Sequence, residues 1–249
     1  MNRTMVQNIL ANNDKPCSGA LWRYYHRGKT PVVPDIKCKS PGEGDLLMGR
    51  DPVATAKSLQ EAGAPMLSVV TEEEHFGGSL DLLAQVAGAT GLPVLRKDFI
   101  TSRQQLVETR EHGAKGVLLI AAILTEGQLP KLVEEALSLG LEPLVEIHNE
   151  EELREVGRIN SLSFLGINNR NILEWEMDDG NVNTTEKLAG LVPPEVFLLS
   201  ESSITGPGDV RRAREAGAHG VLVGTAILKA GDPVAMYHLL SEAGGRAHD

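Results

Sequence analysis

Six polar residues each stand at the end of a short apolar run. Asp35 and Lys37 close "PVVPDIK", Lys97 closes "PVLRK", Glu146 falls near the end of "PLVEI", Asn168 closes "SFLGIN" and Glu201 closes "VFLLSE". If the runs are strands, a side-chain period of two puts Asp35 and Lys37 on the face of Val33. It likewise puts Lys97 with Leu95, Glu146 with Leu144, and Glu201 with Leu199. A charge on the apolar face of a strand is costly unless that face opens on a polar site. A single polar strand end is readily explained by solvation in a loop; six with the same parity are not. Two lysines interleaved with three carboxylates suit acid–base chemistry, because opposed neighbours and partial burial set one group as donor and another as acceptor.

The elements that must position these groups recur through the chain. Short β-type runs occur at 31–37, 66–70, 93–97, 116–120, 143–147, 163–168, 196–201 and 220–224. Between them lie amphipathic stretches such as "DPVATAKSLQEAG", "TSRQQLVETREHG" and "TEGQLPKLVEEALSLG", several opening on Asp, Thr or Ser and closing on Gly. Near-continuous apolar strands, each followed by a helix, indicate a parallel sheet covered on its outer face. Eight such units predict an α/β protein of the (β/α)8 TIM-barrel type, in which chemistry sits at the C-terminal strand ends. A doubly wound open sheet is the alternative, but no G-x-G-x-x-G follows the first strand. Residues 1–30, with "MVQNILANN" and "GALWRYYHR", read as an N-terminal helical extension laid over one end. Without a linker or low-complexity segment, residues 1–249 are expected to form a single barrel domain.

The unit order gives weight to a second group. Ser40-Pro41-Gly42 follows strand one, "SSI" at 202–204 follows strand seven, and Gly224-Thr225 follows strand eight. Small and hydroxyl residues after the last two strands are the usual phosphate cradle of such barrels. The residues themselves therefore point to a barrel enzyme that uses acid–base catalysis on a phosphorylated substrate.

Composition limits the partners. The 249 residues carry a formal charge of −10 and are 41% hydrophobic, which argues against nucleic acid or an anionic membrane surface. No run of about 18 apolar residues is present, so no membrane span is expected, and the polar start of the chain has no apolar core of signal-peptide type. Cys17 and Cys38 form no ligand spacing and are expected as free thiols in a reducing cytoplasm. His75 lies beside Glu72, Glu73 and Glu74, a cluster expected to be solvated rather than to hold a metal. His148 is expected to point outward by parity, and Trp22 and Trp175 to serve packing or surface roles.

The segments "DIKCKSP", "SVVTEEEHFGGSLDLL", "PVLRKDFI", "VLLIAAIL", "EPLVEI", "GINNRNI", "SESSI" and "VLVGTAIL" resemble, in order and spacing, the signatures of the indole-3-glycerol-phosphate synthase family. The resemblance runs from about residue 31 to 230. It implies closure of an indole ring on an anthranilate-substituted deoxyribulose 5-phosphate, with loss of CO₂ and water and without metal or organic cofactor. It further implies that Lys97 is the general acid, Glu146 the general base of dehydration, and Lys37 the residue that holds substrate and buttresses the acid. Asn168, Arg170, Glu201 and Ser202 match family positions after strands six and seven. Ser40, Gly224 and Thr225 fall on phosphate-binding positions, and Phe76, Phe99 and Leu118 where the anthranilate ring packs, Leu118 being equally an ordinary core residue.

Two departures stand out. The family pattern has glutamate where this chain has Asp35, which withdraws the carboxylate by about 1.3 to 1.5 Å, and a displacement near 1 Å can cost about 100-fold. It also has glycine where this chain has Ser203, at a point of close backbone approach to phosphate. The expectation is a working synthase, a monomer or weak homodimer in the cytoplasm. The alternatives are a diverged barrel acting on a related aryl-amino sugar phosphate, or a phosphate-ligand binder without turnover.

Overall fold

The computed structural model describes residues 14–125, 127–170 and 181–244. Eight parallel strands close into a barrel: β1 Val32–Ile36, β2 Leu67–Val70, β3 Val94–Lys97, β4 Gly116–Ile120, β5 Glu142–Ile147, β6 Phe164–Asn168, β7 Phe197–Glu201 and β8 Gly220–Val223. Each strand pairs with the next, and β8 closes on β1 with Val221 opposite Val32 and Leu222 opposite Val33. The expected (β/α)8 architecture is present, with every strand within a residue or two of its run in the sequence.

The helices are α1 Ser18–Tyr25, α2 Pro52–Glu61, α3 Leu80–Ala89, α4 Arg103–Glu111, α5 Gln128–Ser138, α6 Glu150–Val156, α7 Asn183–Leu188, α8 Pro207–Ala216, α9 Thr225–Leu228 and α10 Pro233–Glu242. Their starts follow local chemistry. Asp51 accepts the N–H of Ala54 at 2.7 Å with Pro52 in the first turn, and Ser102 and Gln105 form a reciprocal capping box. At the other end of α8, Gly217 takes φ +118°, a conformation that a β-carbon would strain.

Two shells of apolar side chains follow from the strand period. One set packs between the strands and the helix ring, and the other fills the barrel with Val33, Leu95, Leu118, Leu144, Phe164, Phe197, Leu199 and Leu222. Val33, Leu95, Leu144 and Leu199 come from alternate strands β1, β3, β5 and β7, the arrangement of one interior layer. Two residues further along the same strands stand Asp35, Lys97, Glu146 and Glu201. The uppermost layer of the barrel is thus charged where the layer below is aliphatic.

Helix α1 closes the opposite end. Leu21 and Trp22 are buried against the barrel floor, with Trp22 packed edge-on to Phe197. The Glu142 carboxylate, at the start of β5, accepts the N–H groups of Cys17 (2.8 Å) and Ser18 (3.0 Å) and the Ser18 hydroxyl. A buried anion at the helix N-terminus satisfies donors that would otherwise be orphaned. The segment "MVQNILANN" and Trp175 lie outside the described residues. Among the described residues no helix is long and apolar enough to cross a membrane.

Candidate active site

The charged layer forms the floor of a cavity of about 840 Å³ at the C-terminal end of the barrel. Lys97, the last residue of β3, is its centre. Its Nζ donates to Glu201 Oε2 at 2.6 Å and to Glu146 Oε2 at 3.2 Å. Asn168, at the end of β6, donates from Nδ2 to Glu146 Oε1 at 3.1 Å. Asp35 is 3% exposed, and its Oδ1 has no hydrogen-bond partner. Lys37 lies one residue beyond β1 and is likewise buried.

Burial and neighbouring charge set the protonation states. Burial opposes the charge on Lys97, but the carboxylates of Glu201, Glu146 and Asp35 outweigh it and hold the ammonium well above its ordinary range. Burial would raise Glu146; the Lys97 charge, then contacts with His148 and Asn168, hold it instead well below the usual carboxylate range. Glu201 is pushed up to about 7, chiefly by burial, with Lys97 opposing and Glu146 reinforcing. Two buried carboxylates facing one lysine do not ionise alike, and Glu201 is the one that retains a proton more readily. Lys37 is lowered by burial, with Asp35 opposing the shift and Arg170 and Lys97 adding to it.

The second group of residues lines the same cavity. Ser40, Ser202, Ser203, Gly224, Thr225 and Arg170 stand around its rim. Ser202 and Ser203 take φ of +64° and +58°, so both adopt a left-handed conformation in which non-glycine residues are strained. A β-carbon at Gly224 would lie 2.9 Å from Cε of Lys37 and 3.1 Å from the Asp35 carbonyl oxygen, so a side chain there would press on the end of the lysine and on the strand backbone. Phe76, Phe99 and Leu118 supply an apolar wall with Val70 and Ile120. Of the candidate catalytic and binding residues, Glu201 alone does not line the cavity: it is fully buried.

His148, expected to point outward, instead faces Glu146. It is two residues beyond Glu146 and therefore of the same parity, and its Nε2 stands 3.4 Å from Glu146 Oε1. The Glu72–Glu74–His75 group brings three potential ligand atoms within 4.8 Å of one another. The Glu72 carboxylate already accepts the backbone N–H groups of His75 (2.8 Å) and Phe76 (3.0 Å), so it serves as the cap of its own turn. Cys17 and Cys38 are free thiols. Trp22 is a packing residue, as expected.

Two positioning residues, Asn169 and Arg96, escaped the reading of single strands. Asn169 donates from Nδ2 to the carbonyl oxygens of Glu201 (2.8 Å) and Ser202 (3.2 Å) and to Ser200 Oγ (3.0 Å), while its Oδ1 accepts from Thr185. It ties the loop after β6 to the strained turn after β7. Arg96, 4% exposed, reaches Thr71, Gln105, Thr109 and Asp98 and so anchors the segment that carries Lys97 and Phe99. Asp98, Glu72 and Lys229 also line the cavity. The alternation of charge in "RKD" was the only sign of this buried network, since Arg96 and Asp98 share the face opposite Lys97.

Comparison with known proteins identifies the family. The family described as Indole-3-glycerol phosphate synthase matches residues 7–240. A protein of that name from Pyrococcus furiosus is 45% identical over 215 residues, 86% of this chain and 93% of its own length. One from Thermococcus kodakarensis is 45% identical over 206 residues, 82% and 89% of the two chains. One from Polaromonas naphthalenivorans is 42% identical over 225 residues, 90% and 84% of the two chains.

Proposed function

The chain belongs to the indole-3-glycerol phosphate synthase family, and from that premise we propose that it converts 1-(2-carboxyphenylamino)-1-deoxyribulose 5-phosphate to indole-3-glycerol phosphate. The observation that carries the reading is the bridging of one partly buried lysine, Lys97, between two buried carboxylates, Glu146 and Glu201, at a cavity with an apolar wall and a rim of small and hydroxyl residues.

The aryl ring lies against Phe76, Phe99 and Leu118, and the phosphate is held among Ser40, Ser202, Ser203, Gly224, Thr225 and Arg170. As the ring carbon bearing the carboxylate attacks the sugar ketone, Lys97 gives a proton to the ketone oxygen. CO₂ then leaves that carbon. In the second stage Lys97 assists departure of the hydroxyl as water, and Glu146 takes the proton released as the ring becomes aromatic. The ion pairs around Lys97 keep it charged and ready to donate, at some cost in acid strength. Glu201, pushed up to about 7 and 2.6 Å from Lys97 Nζ, is placed to return the proton between the two stages. Lys37 holds substrate beside the acid, Asp35 adds negative charge that supports both lysines, and Asn168 holds Glu146 in line.

The reading includes a single barrel domain with residues 1–30 as a helical extension, working in the cytoplasm as a monomer or weak homodimer. The free thiols support the compartment. Size-exclusion chromatography tests the assembly. For the activity, purified protein is mixed with the carboxyphenylamino-deoxyribulose phosphate while indole fluorescence is followed. A rise that Lys97→Ala abolishes supports the proposal; a flat trace from folded protein rejects it.

A further inference from the structure

We infer that His148 is a positioning residue for Glu146: gripped by Glu152 of α6, its imidazolium fixes and keeps ionised the carboxylate that faces the cavity. The inference rests on the reading of Glu146 as the general base.

The arrangement starts with the helix cap. Asn149 caps α6 by accepting the N–H of Glu152 at 2.9 Å. The Glu152 carboxylate turns back over the cap: Oε1 accepts from Asn149 Nδ2, while Oε2 accepts the backbone N–H of His148 at 2.8 Å and meets His148 Nδ1 at 3.2 Å. In a common capping box the third helical residue serves only backbone; here it also grips a side chain. The ring so held is 9% exposed and presents Nε2 to Glu146 Oε1 at 3.4 Å.

Both ring nitrogens therefore face carboxylate oxygens. A neutral imidazole has one donor and one acceptor and would set a lone pair against one of them; the doubly protonated ring satisfies both. Burial lowers the affinity of His148 for a proton, but contacts with Glu146 and then Glu152 outweigh it and carry the group up to about 9. The charged groups around it are Glu146 on its own strand and Glu152 on α6, with Lys97 from β3 on the far side of Glu146. At 3.4 Å the Nε2 contact is an ion pair rather than an aligned hydrogen bond, and this nitrogen has no other partner. It can close on Oε1 as Glu146 turns to take a proton. Asn168 holds the same oxygen from the β6 side.

The test is a pH profile of kcat and KM for wild type, His148→Gln, Glu152→Gln, the double variant and Glu146→Gln. We expect His148→Gln and Glu152→Gln each to lower kcat by about 10- to 100-fold with KM close to wild type. The double variant should be no worse than His148→Gln alone, because both act through one ring. Below about 9 the imidazolium is present, so wild-type kcat should fall as pH rises through that region, a limb that His148→Gln lacks. Wild-type kcat in folded His148→Gln, or losses that multiply in the double variant, would overturn the inference. If His148→Gln does not fold, Glu152→Gln, on the helix rim, carries the same comparison. Glu146→Gln separates the two claims: if it keeps wild-type turnover the assignment of the base fails, whereas if it is dead while the His148 variants are normal only the positioning role fails.

Discussion

A β-carbon added at Gly166 would lie 1.9 Å from Oε1 of Glu201, so the glycine in β6 is what allows the Glu201 carboxylate to extend beneath Lys97. Gly166 belongs to an even-numbered strand and Glu201 to the neighbouring odd one, and no polar partner fills the space between them. Gly166→Ala has to displace Glu201, and with it the shortest contact of Lys97. We expect a folded barrel whose kcat falls about 100-fold, as displacements near 1 Å do. Steady-state kinetics beside a circular-dichroism melt checks this; unchanged kcat would mean that Glu201 is not needed where it lies.

Asp35 reaches Lys97 through charge rather than contact, for its Oδ1 has no hydrogen-bond partner and the Lys97 ammonium is held by Glu201 and Glu146. Extending the side chain by one methylene into the cavity alters that influence little, whereas neutralising it removes it. We expect Asp35→Glu to stay within about tenfold of wild-type kcat/KM and Asp35→Asn to fall further, in keeping with general acid–base effects of about 100-fold or more. Equal activity of the two variants would show that neither charge nor reach matters at this position.

Ser202 and Ser203 sit consecutively in left-handed backbone, held there by Asn169 through the Ser202 carbonyl. A non-glycine residue in this region costs about 1 to 2 kcal/mol, part of which glycine returns to the flexibility of the unfolded chain. Ser203→Gly should raise the melting temperature by about 2 to 4 °C, the shift that ~1 kcal/mol produces in a domain of this size. A lower melting temperature would mean that the Ser203 side chain stabilises the turn by more than its strain.

His219 lies on the barrel floor among Trp22, Tyr25 and Phe197, and its Nδ1 accepts the N–H of Leu198 at 3.0 Å. Burial first, then the charges of Arg214 and His26, lower it from 6.5 to about 4. Between those values the unfolded chain binds a proton that the folded chain refuses. The stability from this site is therefore complete above about pH 6.5 and declines as pH falls towards 4, by up to ~3 kcal/mol. Urea denaturation at several pH values should give a flatter curve over this interval for His219→Gln than for wild type.

The strands, their parity and the charged layer were legible because a strand has a period of two: any apolar run ending in a charge declares which face that charge shares. The helix starts at Asp51 and Ser102 were legible for a similar reason, since a cap is a contact between residues three apart. At His148 the strand period alone does not decide the direction of the side chain. Once β5 ends at Ile147 the next side chain is set by its helix cap, and Glu152 turns it back towards Glu146.

Sequence alone therefore determined the barrel, the order of its units and the types of residue at its mouth, all of which follow from short-range periodicity. Only the closed tertiary structure decided that Lys97 lies between Glu146 and Glu201, that Glu201 is hidden from the cavity, and that side chains at Gly166 and Gly224 would meet Glu201 and Lys37. Those relations join residues from 35 to 187 positions apart, such as Gly166 with Glu201 and Gly224 with Lys37. They arise from strand register and barrel closure, and burial then turns distance into protonation state.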